Sequence, residues 1–135
     1  MMKKLPLLSA AFMLLLLPET LTQESEVTPI DVVVENSIHN LAPVTFSTHV
    51  VYRGILLGAL RRLMASNSDF KFTYTEDPNY GPSLESVNGV AGNDKDQTYW
   101  QLLVMRPDGE FRPDVGIGCY IPSANEKIIL RFSKW

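Results

Sequence analysis

The sequence predicts a small α+β domain in which a single helix packs on a mainly antiparallel, β-rich sheet. Six or seven short runs are rich in β-branched and aromatic residues, or alternate between apolar and polar residues, as strands do. Only one segment has the apolar spacing of an amphipathic helix. Strands and helices do not alternate along the chain, which argues against a doubly wound parallel sheet.

The first part of the chain predicts two strands and the helix. Residues 30–34 have the sequence IDVVV, a β-branched run typical of a strand. Residues 44–51 alternate between apolar and polar side chains, which predicts a strand with one buried face. Residues 55–65 carry apolar side chains three and four positions apart, and Arg61 and Arg62 lie off that stripe. This last segment is the predicted helix.

Four further strands are predicted after the helix, at residues 70–75, 84–91, 98–105 and 127–132. The third of these, TYWQLLVM, is the most strand-like run in the sequence, because aromatic and aliphatic residues favour a pleated surface. Loops separate the strands where Pro, Gly, Asn and Asp cluster, as they do in residues 76–82.

The N-terminus has the pattern of a secretory signal peptide. Lys3 and Lys4 precede an apolar run, residues 5–17, and polar sequence follows it. The run is shorter than the roughly 17–25 apolar residues of a transmembrane helix. We therefore expect a secreted, extracellular protein without a membrane span. The predicted organisation is a signal peptide (residues 1–22), a polar leader (23–29) and one domain (30–135).

Composition argues against several function classes. A formal net charge of −3 and a pI of about 5.3 do not suit nucleic-acid binding. His39 and His49 are the only histidines and Cys119 is the only cysteine, too few for an expected metal site. No nucleophile motif or Gly-rich phosphate loop occurs, so we expect no enzyme activity. We expect Cys119 to be a buried, inert thiol, with an intermolecular disulfide as the alternative.

Two aromatic residues are candidates for contact with a ligand. Alternation along the predicted strand places Tyr99 and Gln101 on one face and Trp100 on the other. Trp100 is then either a core side chain or an aromatic platform for a ligand. Tyr80 lies in the Pro-bounded loop and is either an ordinary turn residue or a second aromatic contact.

Several short motifs occur in order along the second half of the chain. They are Phe70-Lys71-Phe72, Tyr80-Gly81, Val87-Asn88-Gly89-Val90-Ala91, Thr98-Tyr99-Trp100-Gln101, Tyr120-Ile121-Pro122 and Glu126. In combination they resemble the C-terminal domain of the vitamin B12 carriers, the family of transcobalamin, intrinsic factor and haptocorrin. The resemblance covers roughly residues 30–135.

The resemblance implies a β-grasp-like domain that holds one face of cobalamin, while a separate helical barrel holds the other. Cobalamin would be a transported ligand and not a catalytic cofactor. The implied partners are a corrinoid and, beside it, a helical-barrel protein or a cell-surface receptor. The implied contact residues are Asn79, Tyr80, Gly81, Pro82, Ser83, Leu84, Trp100, Gln101, Leu102, Leu103 and Glu126.

The sequence also departs from the family pattern. A chain of 135 residues has no room for the helical barrel. The carriers tend to have Ser-Trp-Gly where this chain has Asn79-Tyr80-Gly81, and the loop at residues 104–115 is longer and more charged. We therefore expect weak corrinoid binding, or binding that a partner completes. The alternative is an interaction module that kept the fold and lost the ligand; a cystatin-type protease inhibitor is disfavoured because its Q-x-V-x-G loop is absent.

Overall fold

The computed structural model describes residues 27–135, which contain eight strands and one helix. The elements are β1 (Val27–Asn36), β2 (Leu41–Val51), α1 (Leu56–Ser66), β3 (Phe72–Asp77), β4 (Gly81–Val87), β5 (Val90–Ala91), β6 (Thr98–Arg106), β7 (Gly109–Phe111) and β8 (Lys127–Lys134). The predicted signal peptide lies outside the described residues. Within residues 27–135, no helix has the length and apolar composition needed to cross a membrane.

The strands form two sheets. Five of them make the larger sheet in the order β2-β1-β8-β6-β7, and three make the smaller one in the order β3-β4-β5. All pairs are antiparallel except β1 with β8, which run parallel at the centre of the larger sheet. The predicted fold class, a mainly antiparallel α+β domain with one helix, is confirmed.

The hydrophobic core lies on one face of the larger sheet. Alternate residues of β1 are buried, beginning with Ile30, as expected of a strand with one covered face. The helix turns an apolar stripe towards the same core. The buried helix residues are Leu56, Ala59, Leu60 and Leu63. On the opposite face of the sheet, the Arg131 guanidinium bridges Glu35 of β1 at 2.6 Å and Glu110 of β7 at 2.8 Å.

The helix begins without a capping side chain of its own. Ile55 precedes it and offers no side-chain hydrogen bond. Instead, the Leu56 N–H donates to the Tyr120 carbonyl at 2.8 Å, and the Leu57 N–H donates to the Ile117 carbonyl at 2.9 Å. These bonds satisfy two of the free N–H groups at a helix start. They also anchor the loop between β7 and β8 to the helix. The helix spans one residue later at each end than the predicted 55–65.

The smaller sheet differs in detail from the sequence prediction. The predicted strand 84–91 is a hairpin of β4 and β5, because Asn88 and Gly89 both have positive φ, as two-residue hairpin turns require. The predicted loop 76–82 is shorter than expected, since β3 continues to Asp77 and β4 begins at Gly81. Strand β7 was not predicted, because its three residues are too few to show a pattern.

Candidate functional site

Trp100 is a core side chain with one edge at the surface. It is 6% exposed, and its ring lies 5.0 Å from the Phe132 ring, centroid to centroid. The indole Nε1–H donates to the Val90 carbonyl at 2.8 Å, which meets the need of a buried indole for an acceptor. Gln101 lies on the opposite face of β6, as alternation predicted, and accepts a hydrogen bond from Ser133.

A tight turn between β3 and β4 presents Tyr80. The Asp77 carboxylate accepts hydrogen bonds from the backbone N–H groups of Asn79 at 2.8 Å and Tyr80 at 2.9 Å. An aspartate that bonds the backbone two residues later is a common way to fix a turn. Gly81 follows with φ +77°, a conformation that favours glycine. As a result, Tyr80 is held at the tip of the turn with 82% of its surface exposed.

A shallow groove of about 170 Å³ connects this turn with Trp100. We call it the Tyr80 groove. Gly116 and Ile117 close one side of it, from the loop between β7 and β8. Among residues 27–135, no charged side chain lines it. Six predicted contact residues meet in it: Tyr80, Pro82, Ser83, Leu84, Trp100 and Leu102.

Close backbone packing sets the width of the groove. A Cβ placed on Gly118 would lie 2.6 Å from the Pro82 Cδ, and one on Gly116 would lie 3.4 Å from the Pro82 carbonyl oxygen. A side chain at position 118 would therefore push the loop away from Pro82, whereas the distance at Gly116 is an ordinary van der Waals contact. Sequence reasoning did not place Gly116 and Ile117 in the site. The signal was present, because the two glycines that flank Ile117 allow a close approach of the backbone.

The other predicted contact residues lie outside the Tyr80 groove. Asn79 and Gly81 belong to the turn that presents Tyr80. Gln101 and Leu103 lie on the face of β6 opposite Trp100, where Leu103 is buried opposite Ile129 of β8. Glu126 lies beside Arg106 at the far end of β6 from Trp100.

Glu126 is a buried carboxylate whose oxygens are already occupied. It is 4% exposed and accepts hydrogen bonds from the Tyr120 hydroxyl at 2.7 Å, the Arg106 Nε at 2.8 Å and the Ser123 N–H at 3.1 Å. Burial acts to raise the pKa of Glu126, but these three hydrogen bonds outweigh it and hold the pKa below its ordinary value. Burial, together with the bond to Glu126, raises the pKa of Tyr120 to about 12.

Cys119 is exposed, so the expectation of a buried thiol is wrong. It lies in a turn in which its N–H bonds the Gly116 carbonyl, while Ile117 and Tyr120 on either side point into the core. The expectation rested on the usual burial of free thiols, and this turn instead directs the Cys119 side chain to the surface. Among residues 27–135, no group of three or more His, Cys, Asp or Glu side chains is arranged to hold a metal ion.

Sequence comparisons find relatives over most of the described chain. A family profile described as Domain of unknown function (DUF4430) matches residues 59–134. Cobalamin binding intrinsic factor of Mus musculus is 33% identical over 92 residues, covering 68% of this chain and 21% of the relative. Transcobalamin-1 of Homo sapiens is 29% identical, covering 67% of this chain and 21% of the relative. The chain thus spans about a fifth of the length of these curated relatives.

Two solved structures share the fold. Haptocorrin in complex with Cbi superposes with a TM-score of 0.69 at 22% identity, covering 81% of this chain and 25% of haptocorrin. A putative metal binding protein from Ruminococcus gnavus ATCC 29149 superposes with a TM-score of 0.55 at 16% identity, covering 80% of this chain and 98% of that protein. At these identities the similarity establishes the fold alone.

Proposed function

The chain belongs to the DUF4430 family and is homologous over about 68% of its length to the intrinsic factor and transcobalamin family, and from this we propose a corrinoid-binding role. In this role the Tyr80 groove forms one face of a cobalamin site. The observation that carries the proposal is the convergence of six residues, implied by the family resemblance, on one uncharged groove.

The chemistry of the groove suits a large ligand with an apolar ring face and neutral amides at its rim. The exposed ring of Tyr80 and the edge of Trp100 offer aromatic surface, and Leu84 and Leu102 add aliphatic surface. The hydroxyls of Tyr80 and Ser83 can exchange hydrogen bonds with amides. Each such bond contributes only about 0.5–1.5 kcal/mol net. Because none of the described lining residues is charged, an uncharged ligand can bind in the groove without leaving a charge unpaired.

The size of the groove predicts that the chain covers only part of its ligand. Drug-sized ligands fill pockets of about 300–1,000 Å³ that bury 70–90% of their surface. A groove of about 170 Å³ cannot bury a corrin in this way. We therefore propose that corrinoid affinity is weak in isolation and rises when a second protein face, such as a helical barrel, covers the ligand.

The remaining predicted residues then have supporting roles. Asn79 and Gly81 shape the turn that presents Tyr80. Gln101 and Leu103 belong to the opposite face of the sheet, and Glu126 holds Arg106 and Tyr120 in place.

The proposed role is binding and transport without catalysis, in an extracellular protein that the N-terminal pattern directs to secretion.

One observation favours a second candidate function, that of an interaction module without a ligand. Trp100 is 6% exposed and its N–H is already bonded to Val90, so most of the indole is committed to the core. Of the two aromatic residues in the groove, Tyr80 alone then offers a freely accessible face. Titration of the chain with corrinoids separates the two candidates.

The test is a titration of the full chain with aquocobalamin and with cyanocobalamin, followed by corrin absorption and Trp fluorescence. We expect saturable binding in the micromolar to millimolar range, roughly −8 to −4 kcal/mol. Tyr80→Ala is expected to weaken it about tenfold without loss of stability, because Tyr80 is 82% exposed. Tyr52→Ala is the matched control, since Tyr52 is exposed and lies outside the groove.

Two results would overturn the proposal. One is the absence of any spectral change at about 1 mM ligand, a concentration equal to the highest Kd expected. This result would leave the interaction module as the better candidate. The other is equal affinity of the wild type, Tyr80→Ala and Tyr52→Ala, which would place the ligand away from the groove.

A further inference from the structure

A second cavity opens between the two sheets, on the other side of Trp100. Its floor is formed by Val34, Val87 and Trp100, and its mouth by Leu41, Ala42 and Val44 of β2. We call it the hairpin cleft. Its volume is about 220 Å³, and it shares only Trp100 with the Tyr80 groove. The floor is buried, whereas the three mouth residues are exposed, so the cleft is open to solvent.

Hydrogen bonds engage three polar side chains of the hairpin cleft. The Trp100 N–H is bonded to the Val90 carbonyl. The Asn36 side chain bonds the His39 backbone N–H through its oxygen at 3.0 Å and the His39 ring through its nitrogen at 2.9 Å. The Asn88 side-chain oxygen accepts the Lys71 N–H at 2.9 Å. The described part of the chain contributes no charged side chain to the lining.

These contacts determine what the cleft can hold. Across the described chain, no buried side-chain nitrogen or oxygen lacks a hydrogen-bond partner. Water that enters the cleft finds few hydrogen-bond partners on its walls, and replacing such poorly held water by an apolar group is favourable. A cavity of about 150 Å³ lined by aliphatic and aromatic side chains is large enough for benzene. The hairpin cleft is larger than that and is lined mainly by valine, leucine and tryptophan.

We propose that the hairpin cleft is a binding site for a small uncharged apolar ligand, a single aromatic ring or a short alkyl chain. The ligand would enter between Leu41 and Val44 and rest on the Trp100 indole. This site is independent of the proposed corrinoid role, because the Tyr80 groove lies on the other side of Trp100 and shares no other lining residue.

The test is a titration of the ¹⁵N-labelled full chain with benzene, followed by the two tryptophan indole N–H signals in ¹H–¹⁵N spectra. Ring currents of bound benzene should shift the Trp100 signal, and this shift should saturate as the benzene concentration rises. The Trp135 signal is an internal control, because Trp135 is exposed and lies outside the cleft. Benzoate, which has the same ring and a charge, is expected to leave both signals unchanged, since the described lining carries no cationic side chain to pair with a carboxylate.

Two matched variants on β2 locate the site. Ala42→Phe fills the mouth of the cleft from an exposed position and should weaken benzene binding about tenfold or more. Thr45→Phe adds a phenyl group on the opposite face of the same strand and should leave binding unchanged. If Ala42→Phe fails to fold, Val44→Phe blocks the same mouth.

The proposal is overturned if benzene leaves the Trp100 signal unshifted at its solubility limit, or shifts both indole signals alike. Binding of benzoate as tight as that of benzene would exclude an uncharged ligand class. If Ala42→Phe binds benzene with the affinity of the wild type, the ligand lies elsewhere in the fold.

Discussion

Gly118 packs against the ring of Pro82 so closely that a Cβ on Gly118 would lie 2.6 Å from the Pro82 Cδ. The proline ring is held in β4 and cannot swing aside as a flexible side chain could. The contact therefore fixes the spacing between the β7–β8 loop and the strand that carries the groove residues. Through the carbonyls of Ile117 and Tyr120, the same loop caps the helix.

Gly118→Ala is expected to destabilise the fold by about 1–3 kcal/mol, the usual cost of overpacking, and to weaken corrinoid binding. The measurement is the urea midpoint together with the corrinoid titration. Gly58→Ala is the control, because a Cβ there meets nothing within 4 Å and the position is helical. It should stabilise the fold by about 0.5–1 kcal/mol. Equal urea midpoints for Gly118→Ala and the wild type would contradict the packing argument.

Trp100→Ala is expected to cost about 3–5 kcal/mol of stability, as truncation of a buried aromatic residue does. It removes both the contact with Phe132 and the hydrogen bond to Val90. Trp135→Ala should change stability by less than about 0.5 kcal/mol, because Trp135 is 60% exposed. Urea unfolding followed by far-UV circular dichroism measures both. A small loss for Trp100→Ala would mean that the indole is not part of the core.

Glu126→Gln is expected to lower the free energy of unfolding at neutral pH. It should also change how this free energy falls as the solution is acidified. The folded pKa of Glu126 lies below its ordinary value of 4.5, so its stabilisation is complete above about pH 4.5 and is lost as pH falls through the folded pKa. The variant should therefore cost about 1.5–3 kcal/mol at pH 7, as loss of hydrogen bonds to a charged group does, and less near pH 3.

Urea midpoints of the wild type and Glu126→Gln at both pH values measure this effect. Glu76→Gln is the control, since Glu76 is exposed and forms no ion pair within residues 27–135. A difference between the wild type and Glu126→Gln that stayed constant from pH 7 to pH 3 would show that the ionised form carries no special stabilisation.

Cys119 is expected to react with Ellman's reagent in the folded protein, because its side chain is exposed. One thiol per chain should be modified without denaturant, and the urea midpoint should be little changed. Non-reducing electrophoresis of the untreated protein shows whether an intermolecular disulfide occupies the thiol instead. Modification that appears only in denaturant, from a monomer, would contradict the exposed position.

Short-range sequence patterns predicted the helix and the orientation of side chains along β6, because both depend only on the spacing of neighbouring residues. The apolar stripe predicted the helix, and alternation placed Trp100 and Gln101 on opposite faces of β6. The start of the helix could not be predicted in the same way, because the carbonyls that cap it belong to Ile117 and Tyr120, far along the chain. Cys119 was expected to be buried because most free thiols are, and a turn has no period that could have corrected this expectation.

The candidate site was predicted in part. The family resemblance named Tyr80 and Trp100, and the structure places both beside one groove. It could not show that Glu126 is occupied by three hydrogen-bond donors, since these come together only when the β7–β8 loop folds against the end of β6. Nor did it name Ile117, whose place in the groove depends on the close approach of its loop to Pro82.

The central position of β8 has a consequence for how the domain assembles during synthesis. Arg131 of β8 and Glu35 of β1 are 96 residues apart in the sequence, yet they are ion-paired neighbours in the sheet. Until β8 leaves the ribosome, the strands of the larger sheet can form only two separate hairpins, β1-β2 and β6-β7, each with an open edge where β8 will insert. Such distant pairing slows folding, and the two open edges are sites where a nascent chain can associate wrongly or recruit a chaperone.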